Sequence, residues 1–189
     1  MNGMIYKVQE VLFSPDYFFR GVKREKGVVP AFVYFTILSL FATILSYFST
    51  TYVVLPWVSE YAGNWLSFIT PPTPLTVLGG FMAFLAVSFL FAGIIHLWCL
   101  LFGGKGTYTQ SYRLYVYSHT PKFVFGWIPV IGFLAEIYSL VLLIIGTQRL
   151  HGISRNRAIW MYLIPYVAIM LFIGLVLALM VFGLRQLYI

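Results

Sequence analysis

Glu136 interrupts an otherwise apolar stretch over residues 128–148, and His119 and Arg113 stand in the stretch before it. Charged groups within hydrocarbon are costly, so they pair, accept hydrogen bonds or stay neutral. At 1.5 Å per helical residue, His119 lies roughly 14 Å beyond Gln110 and Glu136 roughly 18 Å before Gln148, a similar depth. The expectation is a buried polar cluster of Arg113, His119 and Glu136, with His96 as a shallower member. Such a cluster either locks helices together or serves as a proton-sensitive or ligand-binding centre.

Gly103-Gly104-Lys105-Gly106 invites comparison with a phosphate loop, but it lacks the Walker spacing and no strand precedes it. It reads as a tight turn between two helices that approach closely. A functional version has Lys105 and Arg113 contacting an anionic lipid headgroup. His96, His119 and His151 are too scattered for a metal site, and no thiol or second acid cluster accompanies them. Ser118 and His119, adjacent in sequence, point to different faces of a helix and cannot act as nucleophile and base. No catalytic constellation is visible, and the expectation is a non-enzyme without cofactor or metal.

The elements that position these residues follow from composition. Of 189 residues, 61% are hydrophobic and 9% charged. A soluble domain carries roughly 25% charged residues. That excludes a water-facing globule and a nucleic-acid binder, although the net charge is +7. The chain reads as an all-α polytopic membrane helix bundle embedded in the lipid bilayer. Apolar runs place spans at about 28–55, 75–102, 128–148 and 158–184, the last kinked by Pro165. Between the first two, residues 56–74 carry aromatics and prolines and read as a surface-hugging loop.

Residues 108–126 are ambiguous, holding Arg113, His119, several tyrosines and Pro121-Lys122. Topology decides. With five spans and a cytoplasmic N-terminus, ten of the twelve Lys and Arg residues fall inside, leaving only Lys122 and Arg185 outside. Such a bias is what orients membrane proteins. The C-terminus is then external or lumenal. The third span must be sheltered by its neighbours.

Residues 1–27 form a polar cytoplasmic segment ahead of the membrane domain, 28–189, with no cleavable signal. Ser14-Pro15-Asp16 reads as a helix start: a cap, a proline in the first turn and an acid near the positive dipole end. Phe18, Phe19 and Val22 form the apolar side, and Arg20, Lys23, Arg24 and Lys26 load the far end. The expectation is an amphipathic helix lying in the membrane interface.

Several fragments, in order, resemble the prokaryotic branch of the Yip-domain family of five-span membrane proteins. They are His96-Leu97, Phe102-Gly103-Gly104-Lys105-Gly106-Thr107-Tyr108, Tyr117-Ser118 with Pro121, and Ile128-Pro129 with Gly132. Tyr138-Ser139-Leu140-Val141-Leu142, Gly146 and His151-Gly152-Ile153-Ser154 with Ala158 continue the series, and Ser14-Pro15-Asp16 with Phe18-Phe19 looks like the family's entry helix. The resemblance implies a helical bundle, a cytoplasmic N-terminus, no cofactor and a role in membrane organisation or trafficking. A membrane-protein or small-GTPase-like partner enters only through it, and the charged loops of the eukaryotic branch have no counterpart here. A homo-oligomer stays open. The first functional reading is therefore a scaffold acting through membrane shape or protein partners. The second is a small-solute transporter or channel using the polar residues of spans three and four.

Overall fold

A computed structural model describes residues 3–62 and 72–187, and among these the chain is all-α. Two short helices, α1 (Met4–Phe13) and α2 (Pro15–Val22), precede α3 (Val29–Ser49). A π-helical turn at Thr50–Val54 leads into α4 (Leu55–Ala62). Then come α5 (Pro74–Leu101), α6 (Tyr108–Ser118), α7 (Thr120–Phe125), α8 (Ile131–His151) and α9 (Arg155–Leu187). Four helical stretches among the described residues are long and apolar enough to cross a membrane: Val29–Val58, Pro74–Leu101, Ile131–His151 and Arg155–Leu179. Their outward faces are apolar and open, as at Leu90, Phe133, Leu171 and Phe172. In water those faces would aggregate; against acyl chains they are matched.

The first of these helices continues through residues expected in a loop. Pro56 lacks an N–H, and its ring would strike a carbonyl one turn earlier in a regular helix. The wider turn at Thr50–Val54 lies just ahead of it, the usual way a helix absorbs such a conflict. The rest of the expected 56–74 loop, residues 63–71, lies outside the described residues. At α5 the local signals agree with the structure: Thr73 accepts from the Thr76 amide and Pro74 occupies the first turn.

The two ends of the bundle are defined by its turns. At one, the basal end, the Lys105 amide donates to the His151 carbonyl at 3.0 Å, so the α5–α6 loop and the end of α8 meet. At the distal end the 126–132 turn closes through Gly126 and Gly132 amides bonded to Lys122 and Ile128 carbonyls. The polar segment 108–125 therefore carries the chain from one end to the other. It is not one helix. His119 ends α6 and begins α7, because Pro121 deprives the next turn of a donor and restricts the residue before it.

Despite its polarity, α6 sits at the centre. Every residue from Ser111 to Ser118 is buried, enclosed by α2, α3, α5 and α8. Aromatic rings from those helices grip it: Phe89 stacks on Tyr112 at 4.7 Å, while Phe18 and Tyr34 meet Tyr117 edge-on at 4.9 and 5.1 Å. Thr107 caps α6 through a reciprocal box with Gln110, a start signal that fixes where the polar helix begins.

The N-terminal helices are part of this core. Phe19 is fully buried, and Phe18 and Val22 nearly so, so the apolar side of α2 faces the bundle. Arg20, Lys23 and Arg24 stay exposed, with Arg20 paired to Asp16 at 2.6 Å. Ser14 breaks α1 from α2, but its side chain makes no capping bond. Tyr138 of α8 donates to the Leu12 carbonyl, which ties the α1 end to the middle of α8. Gly146 is where α2, α6 and α8 touch: a Cβ there would lie 2.5 Å from Leu114 Cδ1 and 2.9 Å from the Phe19 ring. Gly146→Val should therefore push α2 off α8 and destabilise by about 1–3 kcal/mol. Amide exchange over residues 15–22 should accelerate, whereas Gly79→Val, which meets open space, should leave it unchanged.

Candidate functional site

Arg113 is 3% exposed and always charged, so its surroundings must answer the charge. The guanidinium donates to the carbonyls of Val22 (3.3 Å), Glu25 and Gly27 (2.7 Å). Val22 ends α2, and the last carbonyls of a helix have no partner within it. The Val22 carbonyl accepts from the Glu25 amide at 3.0 Å, and Arg113 adds a second donor from α6. The Glu25 carboxylate then accepts from Lys7 at 2.6 Å and from the Tyr117 hydroxyl at 2.9 Å. It lies 3.8 Å from Arg113 Nε, too far for a hydrogen bond but close enough for Coulomb attraction. Lys7 also stands 5.2 Å from the Tyr117 ring centroid. Three helices are thus joined by one compact network of two cations, one carboxylate and one phenol.

A second polar group lies at the basal end. His96 Nδ1 and His151 Nε2 both sit 3.0 Å from the Ser111 hydroxyl. One hydroxyl carries one proton, so at most one imidazole can receive it and the other ring must donate. The loop Gly103–Gly106 folds over this pair. A Cβ on Gly106 would lie 2.5 Å from His151 Nδ1, and one on Gly104 2.8 Å from the Cys99 carbonyl. These glycines serve close approach. Beside them Tyr162 bonds Thr147 at 2.9 Å and meets the Cys99 sulfur at 3.5 Å, joining α5, α8 and α9. His151 is 1% exposed and closes α8.

Glu136 is in the distal half. Its partner is Lys122 of α7, at 2.8 Å. His119 shares a cavity of about 210 Å³ with Glu136, Ser139, Tyr162 and Tyr166. His119 Nδ1 lies 2.6 Å from the Tyr115 carbonyl, which can only accept, so that nitrogen carries the proton.

The four residues expected as one cluster therefore fall into three groups. His96 joins Ser111 and His151, Arg113 joins Glu25, and Glu136 joins Lys122 with His119 beside it. The reason is the α6–α7 break, which turns Lys122 towards Glu136, and the reach of Arg113 towards main-chain carbonyls. Lys105 and Arg113 are also apart in role: Lys105 is exposed in its loop, whereas Arg113 is buried and committed to residues 22–27. Among the described residues no group of three or more His, Cys, Asp or Glu could hold a metal ion.

Removing Arg113 takes the donor from the Glu25 and Gly27 carbonyls and one of two donors from the Val22 carbonyl, and hydrogen bonds to a charged group are worth about 1.5–3 kcal/mol each. Arg113→Ala should expose residues 22–28 to protease and lower the melting temperature. Arg113→Lys should recover only part of the loss, since an ammonium cannot fork across separated carbonyls. Full recovery by lysine would contradict the carbonyl-clamp role.

A second clamp is acid-sensitive. The Arg149 guanidinium, bonded to Asp16, holds that carboxyl below the usual carboxylate range. A depressed carboxylate contributes stability above its unfolded value, near pH 4, and loses it as pH falls through the lower folded value. The side chains are 39% and 46% exposed, so the contribution is at most about 1 kcal/mol. The α2 amides should lose protection on acidification below about pH 4. Asp16→Asn should flatten that response, and an identical acid response in the variant would exclude the pair as its source.

Nothing among curated proteins or solved structures matches the chain. A family model does match, that of the Yip1 domain, over residues 10–178, which takes in α2 through most of α9. That family is not known as enzymatic. The clamped N-terminal helix, the polar α6 and the apolar helices that enclose it all fall within the matched span, and the chain belongs to the Yip1 domain family.

Proposed function

We propose that this Yip1-family membrane protein is a non-enzymatic organiser of membranes, of the kind used in trafficking, and that it works through membrane shape or protein partners. The observation that carries the reading is the docking of α1 and α2 along one side of the bundle, against α8 and α7. Asp16 meets Arg149 at the basal end of α8, Phe19 packs at Gly146, and Leu12 reaches Tyr138. The two helices thus add a layer on one flank of the bundle that runs from the basal end of α8 past Tyr138. Their outer surface remains apolar, with Ile5, Phe13 and Tyr17 each more than 70% exposed. An added flank that turns apolar and aromatic side chains outward can wedge into the membrane interface and favour curvature there.

In this reading α6–α7 makes a fifth crossing. Its polar groups are answered within the protein, which is the condition for a segment that lipid alone would not accept. The basal end is cytoplasmic in this reading, because the cations Lys105, Arg149 and Arg157 gather there. The C-terminus then lies outside or in the lumen, and the basic face formed by Arg20, Lys23 and Arg24 offers a surface to a partner, including a second copy or a small-GTPase-like protein. The alternative, a small-solute transporter or channel, draws its support from the cavities on either side of Glu136.

Sorting on membrane tubes tests the reading. Protein in giant vesicles with its basal end outward should be enriched severalfold on narrow outward tubes relative to the flat membrane. Arg113→Ala, which frees α2, should abolish the enrichment. Equal density on tube and vesicle for the native protein would rule out action through shape.

A further inference from the structure

The distal half holds an amphipathic pair of cavities that share a wall. The first, about 480 Å³, opens among α3, α5, α7 and α8 and carries hydroxyls of Ser39, Thr43, Ser46 and Thr76 together with Lys122 and Glu136. The second, about 310 Å³, is lined almost wholly by apolar side chains of α3 and α5, among them Leu40, Ile44, Phe48 and Leu78. Thr43, Tyr47, Val77 and Phe81 line both. On α3 the polar cavity takes Ser39, Thr43 and Ser46, whereas the apolar groove takes Leu40, Ile44 and Phe48, one step further around the helix. The crevice between α3 and α5 thus leads from a polar notch inside the bundle to an outward apolar face. Each volume suits a small ligand or part of a larger one.

The ion pair selects the occupant. Lys122 and Glu136 hold each other at 2.8 Å yet keep 49% and 37% of their side-chain surface open. Both line the notch, about 8 Å inside the first residue of α8 at 1.5 Å per residue. A net anionic headgroup would gain Lys122 but face Glu136, and a cation would meet the reverse conflict. A zwitterion satisfies both: its phosphate lies against the ammonium and its amine against the carboxylate, with four charges alternating in sign. The neighbouring hydroxyls supply further hydrogen bonds, and the apolar groove receives an acyl chain.

We propose that the α3–α5 crevice is a binding site for one zwitterionic phospholipid of the phosphatidylethanolamine type, headgroup in the notch and acyl chain in the groove. This goes beyond the membrane-shape reading and does not depend on it. Gly80 makes the test clean. It lines the notch, and a Cβ there meets open space, so Gly80→Leu adds a side chain at the notch with no collision at its Cβ. Gly79, which also meets open space and lines neither cavity, is the control.

Detergent-purified protein mixed with equal amounts of dioleoyl phosphatidylethanolamine and dioleoyl phosphatidylglycerol should be examined by native mass spectrometry. The expected result is one retained phosphatidylethanolamine per chain, with at least a tenfold preference over phosphatidylglycerol. Gly80→Leu should lose that retention at least tenfold with an unchanged melting temperature, and Gly79→Leu should keep it. Equal retention of the two lipids, or undiminished retention by Gly80→Leu, would overturn the site. Displacement of the lipid by soluble phosphoethanolamine at the same concentration would overturn it too, in favour of a free solute. Failure to retain any lipid, with Gly80→Leu lowering the melting temperature, would mean that the chain itself fills the notch and would equally reject the proposal.

Discussion

Arg113 cannot shed its proton, and at 3% exposure it cannot reach water, so the fold is arranged around satisfying it. Its donors go to the main-chain carbonyls of Val22, the last residue of α2, and of Glu25 and Gly27 in the connection that follows. Placing those carbonyls there requires α2 to lie against α6 and α8, which requires Phe19 to sit over Gly146. The connection to α3 then runs through residues 23–28 beside the same guanidinium, so the first long helix is positioned by it as well. One buried cation thereby orders the N-terminal third of the chain.

The same logic explains the arrangement of long helices. A bilayer interior offers no hydrogen-bond partners, so a segment with four tyrosines, an arginine and a serine-threonine set must find them in protein. In α6 and α7 it does: Tyr34 meets Thr120 at 2.9 Å, Tyr112 meets Ser88 at 3.3 Å, and Tyr108 donates to the Phe89 carbonyl at 2.8 Å. The apolar helices form a sheath whose outer surface matches lipid and whose inner surface presents a few hydroxyls at fitting depths. The sheath is not uniform. Along one flank the N-terminal helices thicken it, and at the distal end the α3–α5 crevice opens it.

Much of this was legible in the residues. Long apolar runs mark the helices around α3, α5, α8 and α9, and Pro15 with Asp16 marks the start of α2, because these signals are local. The Gly103–Gly106 turn was readable as a close approach for the same reason. The burial of α2 against the bundle was less so, since Phe18 and Phe19 would serve equally against lipid. The partner of Arg113 left no trace, because a main-chain carbonyl carries no residue code. Continuation of the first long helix through Pro56 was hidden by the π-helical turn, which no residue type announces. Lys122 as the partner of Glu136 depended on where α6 breaks, and His151 as a buried residue depended on the loop folded over it.

Everything rests on the polar segment 108–125 carrying the chain between opposite faces of the membrane. Single cysteines at Lys105 and Pro129, both exposed in the structure, report this directly in a Cys99→Ala background with an impermeant maleimide and sealed, oriented vesicles. Labelling of position 105 from one face and position 129 from the other is the expected result. Labelling of both from the same face would show that the segment does not cross, and the sheath would lose its purpose.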